Sequence, residues 1–327
     1  MILKKVAVFA SSVILLDMEK HMPVFKQIVP ETEVLFVNDI EEMMHEHNDV
    51  EAIFAMPFGI QKLVKYCTEN PNFKWLQLLT AGCDSLINTP FMDMDNLLVT
   101  STHGIHAEPM SDHVIAFIFA FLRGLPTAFI NKQEHKWRFA TTSQLDESCN
   151  KTIGIIGRGS VGVGIAEKLK KLDFKVLCYG SEIIDCLWFD EFYLTGDLEI
   201  MLAKSDFVIV CAPLKDDTYH LMGKEQFNAM KNSAYFINVG RGPIHDQEAL
   251  IEALKTGEIA GAALDVTDPE PLPEDSVLWD MDNVIITGHW AASSDFYTDR
   301  AVLNIAENIR RYNNGEKLDY IFKSPME

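Results

Sequence analysis

The sequence predicts an α/β protein of two doubly wound parallel-sheet domains, one inserted into the other. Three observations carry that expectation. The 327 residues are 48% hydrophobic and 23% charged, the balance of a globular chain long enough for two cores. Short apolar runs alternate with stretches of helical period, the pattern of strand–helix–strand units and a mostly parallel sheet. The alternation occurs twice, before and after one long apolar stretch at residues 112–123.

In the first array the expected strands are Val6–Ala10, Glu33–Val37, Ala52–Ala55, Trp75–Leu79 and Leu97–Thr100, with helical patterns between them such as Gly59–Thr68. Lys4-Lys5 followed by the apolar run Val6–Leu16 has the look of a short signal peptide, but Asp17, Glu19 and Lys20 stand where a small-residue cleavage site would be. The run divides more naturally into a buried strand and a turn at Ser11-Ser12. Residues 112–123 are apolar almost all round (Val114, Ile115, Phe117, Ile118, Phe119, Phe121, Leu122) and end at Gly124 and Pro126. A helix of that kind needs cover on several sides, between domains or in a subunit interface, and is too short to span a bilayer.

The second array offers strands at Thr152–Ile156, Lys175–Tyr179, Phe207–Cys211, Ala234–Val239, Ala260–Val266 and Val284–Thr287. Helices are expected at Val163–Leu172 and Gln247–Thr256, and an amphipathic one at Thr298–Asn313. The junctions fall near residues 102 and 290, so 1–102 plus 291–327 would form one domain and 103–290 the other.

Charge and cysteines exclude some functions. A net charge of −20 repels nucleic acid and anionic lipid, so neither is an expected partner. The cysteines at 67, 83, 149, 178, 186 and 211 show no C-x-x-C pair and no metal-ligand spacing with histidine. They read as reduced thiols of a cytoplasmic protein without a metal site.

One motif carries specific chemistry. The strand Thr152–Ile156 runs into Gly157-Arg158-Gly159-Ser160-Val161-Gly162, and a helix follows. In that setting G-x-G-x-x-G is a dinucleotide pyrophosphate loop. Its glycines allow a tight turn, a close approach of phosphate to backbone and a close helix–strand contact, while the helix N-terminus supplies N–H donors and a positive dipole end. The next strand should end in an acid for the adenosine ribose, yet Cys178-Tyr179-Gly180-Ser181-Glu182 puts Gly180 there. Ser181 could bond either a ribose hydroxyl or a phosphate, and Glu182 could reach the ribose or stand as a solvated loop acid. No Arg or Lys lies between 180 and 200, and Asp185, Asp190 and Glu191 would repel a 2′-phosphate. The cofactor stays open between NAD and NADP.

Three polar residues follow at strand ends: Arg241 in Asn238-Val239-Gly240-Arg241-Gly242-Pro243, Glu270 in Asp265-Val266-Thr267-Asp268-Pro269-Glu270-Pro271, and His289 in Gly288-His289-Trp290-Ala291. They would share the carboxyl edge of a parallel sheet, where ligands of open α/β folds bind. With the glycine loop and Cys211-Ala212-Pro213, these segments resemble the D-isomer-specific 2-hydroxyacid dehydrogenase family over nearly the whole chain, and within it the glyoxylate/hydroxypyruvate reductase and phosphoglycerate-dehydrogenase-like branch.

The resemblance implies a Rossmann nucleotide domain inserted in a flavodoxin-like substrate domain. It implies hydride transfer between a nicotinamide cofactor and a small 2-keto or 2-hydroxy acid. Arg241 would bind the substrate carboxylate and reacting oxygen, which suits a permanently charged, two-pronged group. His289 would be the acid/base, as an imidazole titrates near working pH. Glu270 would orient that ring and favour its protonated form. Asp265 would meet the nicotinamide end, and Cys211, Ala212, Pro213, Val239, Gly240 and Ala291 would line the cofactor. The N–H groups of the loop Thr80–Asp84, Ala81 and Gly82 among them, would hold the substrate carboxylate. A homodimer through the nucleotide domain is expected, with Trp137 packing between subunits. His103, His106 and His113 read as structural. The rival reading is a nicotinamide-sensing, corepressor-like protein on the same fold, binding cofactor but turning over poorly.

Overall fold

The structure, a computed structural model, describes residues 2–11, 14–57, 60–141, 145–318 and 320–325. Ser12 of the expected turn and Gly59 of the expected helix lie outside these residues. The elements run β1 (Lys5–Phe9), α1 (Met18–Ile28), β2 (Glu33–Val37), α2 (Ile40–Glu46), β3 (Ala52–Ala55), α3 (Gln61–Glu69), β4 (Trp75–Leu78), β5 (Leu98–Ser101), α4 (Ala107–Leu122) and α5 (Leu125–Gln133). They continue with β6 (Thr152–Ile156), α6 (Ser160–Lys171), β7 (Lys175–Tyr179), β8 (Glu191–Tyr193), α7 (Leu198–Lys204), β9 (Phe207–Val210), α8 (Lys224–Ala229), β10 (Tyr235–Asn238), α9 (Gln247–Thr256), β11 (Gly261–Leu264), β12 (Val284–Ile286), α10 (Tyr297–Asn314) and β13 (Ile321–Lys323).

The chain forms two compact units, Met1–His106 with Ser293–Glu327, and Ala107–Ala292. In the first, the strand order is β13-β5-β4-β3-β1-β2. All pairings are parallel except β13 on β5. Apart from that added edge, this is the flavodoxin-like 2-1-3-4-5 order. α1 and α10 cover one face with Phe25, Ala301, Val302 and Ile305, and α2 and α3 cover the other with Met43, Leu63 and Tyr66. Local sequence sets the helix ends. The Asp17 carboxylate accepts from the Glu19 and Lys20 amides at 2.8 and 3.1 Å, starting α1.

The second unit holds seven parallel strands in the order β12-β11-β10-β9-β6-β7-β8. Read outward from β6, this is the Rossmann order extended by one strand. α4 and α6 supply Val114, Ile118, Ile165 and Leu169 to one core, and α7, α8 and α9 supply Met201, Phe227 and Leu250 to the other. α4 buries Val114, Phe117, Ile118, Phe121 and Leu122, while Ile115 and Phe119 are half-buried against the same core. The all-round apolar sequence is thus covered mainly on one side within its own unit, packed on α6. Among the described residues no single helix is long and apolar enough to cross a membrane.

Candidate active site

The Rossmann order reverses between β6 and β9, which opens a crevice beyond their carboxyl ends. Gly157–Gly162 joins β6 to α6 on one side of it, and Cys211-Ala212-Pro213 leaves β9 on the other. Gly162 has to be glycine: a Cβ there would lie 2.1 Å from the Gly157 carbonyl oxygen. Gly159 instead faces open space, with nothing within 4 Å of where its Cβ would be. The Cys211 thiol lies 3.6 Å from the carbonyls of both Ile156 and Gly157, so it floors the turn. Burial holds that thiol protonated, far above its ordinary range. The open face at Gly159 and the first turn of the twelve-residue α6 leave backbone N–H groups at the crevice, which fits a dinucleotide pyrophosphate.

Arg241, Glu270 and His289 follow three neighbouring strands. Asn238 of β10 pairs with Leu264 of β11, and Leu264 with Ile286 of β12. Arg241 and His289 each lie three residues beyond those paired ends, so the register delivers both to one edge. Close packing holds the Arg241 loop against the loop after β11, because a Cβ on Gly242 would fall 1.9 Å from the Thr267 oxygen.

His289 and Glu270 meet directly. The His289 Nδ1 lies 2.5 Å from Glu270 Oε1, with the two side chains 48% and 40% exposed. A carboxylate accepts, so Nδ1 donates, and Nε2 is left facing away from Glu270. His289 sits at φ 56, in the left-handed region, which side chains other than glycine occupy only when their surroundings hold them there. Asp265, 3% exposed, is what holds it. Its carbonyl accepts from the His289 amide at 2.9 Å. Its carboxylate accepts from the Thr287 hydroxyl at 2.6 Å and from the Trp290 and Ala291 amides at 3.0 and 3.1 Å. His113 of α4 reaches the Thr287 hydroxyl at 3.2 Å. Burial lowers the His113 pKa against the opposing pull of Asp265. The sequence marked Asp265 for a cofactor contact, and the fold adds this anchoring of the histidine loop.

Two further residues order the Arg241 loop and were not legible in the sequence. The Asn238 side-chain oxygen accepts from the Gly240 amide at 2.9 Å, and its Nδ2 donates to the Arg241 carbonyl at 2.9 Å. Those contacts fix the amide's orientation, so its remaining N–H must donate to His245 Nδ1, also 2.9 Å away. His245 is fully buried. Its ring is therefore neutral with the proton on Nε2, an atom that finds no hydrogen-bond partner. Burial pushes its pKa down to about 4.

In the first unit, Ala81 and Gly82 lie in the turn after β4. Thr80 Oγ1 donates to the Gly82 carbonyl at 2.9 Å, and Tyr297 of α10 donates to the Leu79 carbonyl at 2.5 Å. His106 Nε2 is 3.0 Å from the same Tyr297 hydroxyl, whose pKa burial pushes up to about 12. His103 stacks on Tyr320 with ring centroids 3.7 Å apart.

Comparison with known proteins agrees with this architecture. Residues 115–291 match the model of the D-isomer specific 2-hydroxyacid dehydrogenase NAD binding domain. The chain belongs to the D-isomer specific 2-hydroxyacid dehydrogenase family. It is 35% identical over 256 residues to a glyoxylate reductase of Thermofilum pendens, covering 75% of this chain and 74% of that one. It is 32% identical over 222 residues to glyoxylate/hydroxypyruvate reductase B of Pectobacterium carotovorum, covering 67% and 69%. Among solved structures, a D-isomer specific 2-hydroxyacid dehydrogenase of Xanthobacter autotrophicus, in complex with NADPH and MES, superposes with a TM-score of 0.81 at 28% identity, covering 97% of this chain and 98% of that one. As a family member the chain is an NAD(P)-dependent oxidoreductase of 2-hydroxy and 2-keto acids.

Proposed function

We propose that this dehydrogenase reduces glyoxylate, hydroxypyruvate or a similarly small 2-keto acid to the D-2-hydroxy acid, with His289 as acid/base, Glu270 as its orienting partner and Arg241 as the substrate-binding cation. The observation that carries the reading is the 2.5 Å contact between His289 Nδ1 and Glu270 at the sheet edge that also bears Arg241. Residues 1–102 with 291–327 would be the substrate domain, contributing the N–H groups of Ala81 and Gly82. Residues 103–290 would be the nucleotide domain, holding pyrophosphate at Gly157–Gly162. Ser181 would lie by the ribose, and Cys211–Pro213, Val239, Gly240, Asp265 and Ala291 along the cofactor.

When bound, the nicotinamide supplies the hydride. The chain's own residues do the rest. The Arg241 guanidinium binds the carboxylate and polarises the keto oxygen. Protonated His289 hydrogen-bonds that oxygen through Nε2 and gives up the proton as hydride reaches the carbon, leaving neutral imidazole and the hydroxy acid. Glu270 keeps Nδ1 as a donor and supports the positive charge beforehand. Oxidation runs the same steps backwards.

A homodimer in the cytoplasm completes the proposal. Phe129, Trp137 and Phe139, which follow α4, are 62%, 89% and 89% exposed. Large apolar groups so exposed in one stretch favour a partner surface. Assaying NADH and NADPH oxidation against a panel of 2-keto acids tests the function. Turnover of two- and three-carbon acids supports it. Tight cofactor binding without turnover on any acid contradicts it and favours a sensing role.

A further inference from the structure

The end of β7 holds a charge pair that the reaction does not use. Arg158, inside the glycine loop, bends back over the residues that follow Tyr179. Its Nη2 donates to Ser181 Oγ at 3.1 Å, and its Nη1 lies 2.8 Å from Glu182 Oε1. Gly180 makes that possible. A Cβ there would stand 2.8 Å from Arg158 Cδ and 3.1 Å from Nε. The arginine stem thus lies across the position where an NAD-binding strand usually ends in an acid. Only a residue without a side chain leaves it that path.

This edge of the crevice is where the adenosine ribose of a dinucleotide falls, so what the pair presents decides which ribose is accepted. A free guanidinium and a serine hydroxyl would suit a 2′-phosphate. Arg158 is not free, because Glu182 neutralises it. Residues 180–203, which follow it along that edge, contain no Lys or Arg to replace it. Lysines that flank this segment in the sequence have their own acids: Lys170 pairs with Asp190, and Lys175 and Lys204 with Glu191. A 2′-phosphate would have to expel the Glu182 carboxylate and then sit beside it. A 2′-hydroxyl has no such conflict, because it can accept from Arg158 and donate to Glu182 at once.

We propose that the Arg158–Glu182 pair is the cofactor selector of this enzyme, and that Glu182, standing in for the missing strand-end acid, makes it prefer NADH over NADPH. Glu182 takes over the role from a position two residues beyond the usual one, by way of an arginine. The inference rests on the dinucleotide reading of the glycine loop.

The test is Glu182→Gln, which keeps the shape and a hydrogen-bonding oxygen but removes the charge. Glu182 is 69% exposed, so the variant should fold. Binding of NADH and of NADPH is measured by calorimetry, and kcat/KM for each with one saturating keto acid. Wild type should favour NADH by at least about tenfold, and Glu182→Gln should raise the NADPH/NADH ratio by at least about fivefold, the scale of one partly screened charge contact. Adding Arg158→Gln should abolish that gain, since the freed guanidinium is what would hold the phosphate. A wild type that binds NADPH as well as NADH overturns the inference, and so does a ratio unmoved by Glu182→Gln. If wild type binds neither cofactor, the dinucleotide reading itself falls. If it binds both with a fixed ratio, only the selector falls.

Discussion

Replacing His245 by leucine should flatten the acid limb of the stability curve. The ring is fully buried, accepts one hydrogen bond from Asn238 and leaves Nε2–H without a partner. Burial lowers its pKa from 6.5 to about 4, with Asp246 opposing the shift and His220 adding to it. A folded pKa below the unfolded one means that the unfolded chain takes up the proton first as pH falls. The stability that the neutral ring contributes is therefore complete above about pH 6.5 and drains away as the pH falls to about 4. The gap between those values corresponds to about 3 kcal/mol, at ~1.4 kcal/mol per tenfold change. Leucine removes the titration. It strands one Asn238 N–H at a cost of about 1–3 kcal/mol, but it also removes the orphan Nε2–H, which relieves a similar amount. Urea unfolding of both proteins between about pH 4.5 and pH 8 should give stabilities within ~1 kcal/mol of each other at the alkaline end. The wild type should lose about 2–3 kcal/mol more than the variant towards the acid end. Parallel curves would refute the reasoning. In the same variant the Arg241 loop loses its brace, so KM for the keto acid should rise several-fold while cofactor affinity holds.

Asp265→Asn replaces one acceptor oxygen by a donor facing an amide or hydroxyl donor. It should lower stability by about 2 kcal/mol and kcat by roughly 100-fold as His289 shifts. Unfolding and steady-state kinetics check both, and an unchanged kcat would remove Asp265 from the support of the histidine loop. Glu270→Gln should cut kcat about 10–100-fold through loss of ring orientation and charge support, with NADH affinity unchanged by calorimetry. A wild-type kcat would leave Glu270 without a role. Sedimentation should give a dimer mass at micromolar concentration, and Trp137→Glu with Phe139→Glu should give a monomer; a monomeric wild type contradicts the proposed assembly.

The α/β alternation was legible because buried parallel strands are continuous apolar runs, and the helices between them keep a 3.6-residue period. The elements that escaped are short or lack that signal. β8 is three residues, Glu191–Tyr193, at one edge of its sheet, and β13 is three at an edge of the other unit's sheet, two of them exposed. Strand ends came out long by a residue or two, as at Ala260–Val266 against Gly261–Leu264, because apolar character outlasts hydrogen bonding. Arg241, Glu270 and His289 could be read as strand-end groups inside recognisable segments. Asn238 and His245 could not, since one looks like an ordinary strand terminus and the other like a loop residue before the Asp246 cap of α9. Their meaning lies in a side-chain contact that no spacing announces. Arg158 and Glu182 likewise become a pair only when β7 lies beside β6 and Gly180 leaves the arginine room.

The central claim is that His289 moves the proton. Its most direct test is His289→Gln, assayed for NADH oxidation across 2-keto acids that the wild type reduces, with cofactor affinity measured in parallel. The account predicts a kcat at least about 100-fold lower on every acid with NADH affinity within about twofold of wild type. Near wild-type turnover on those acids would contradict it.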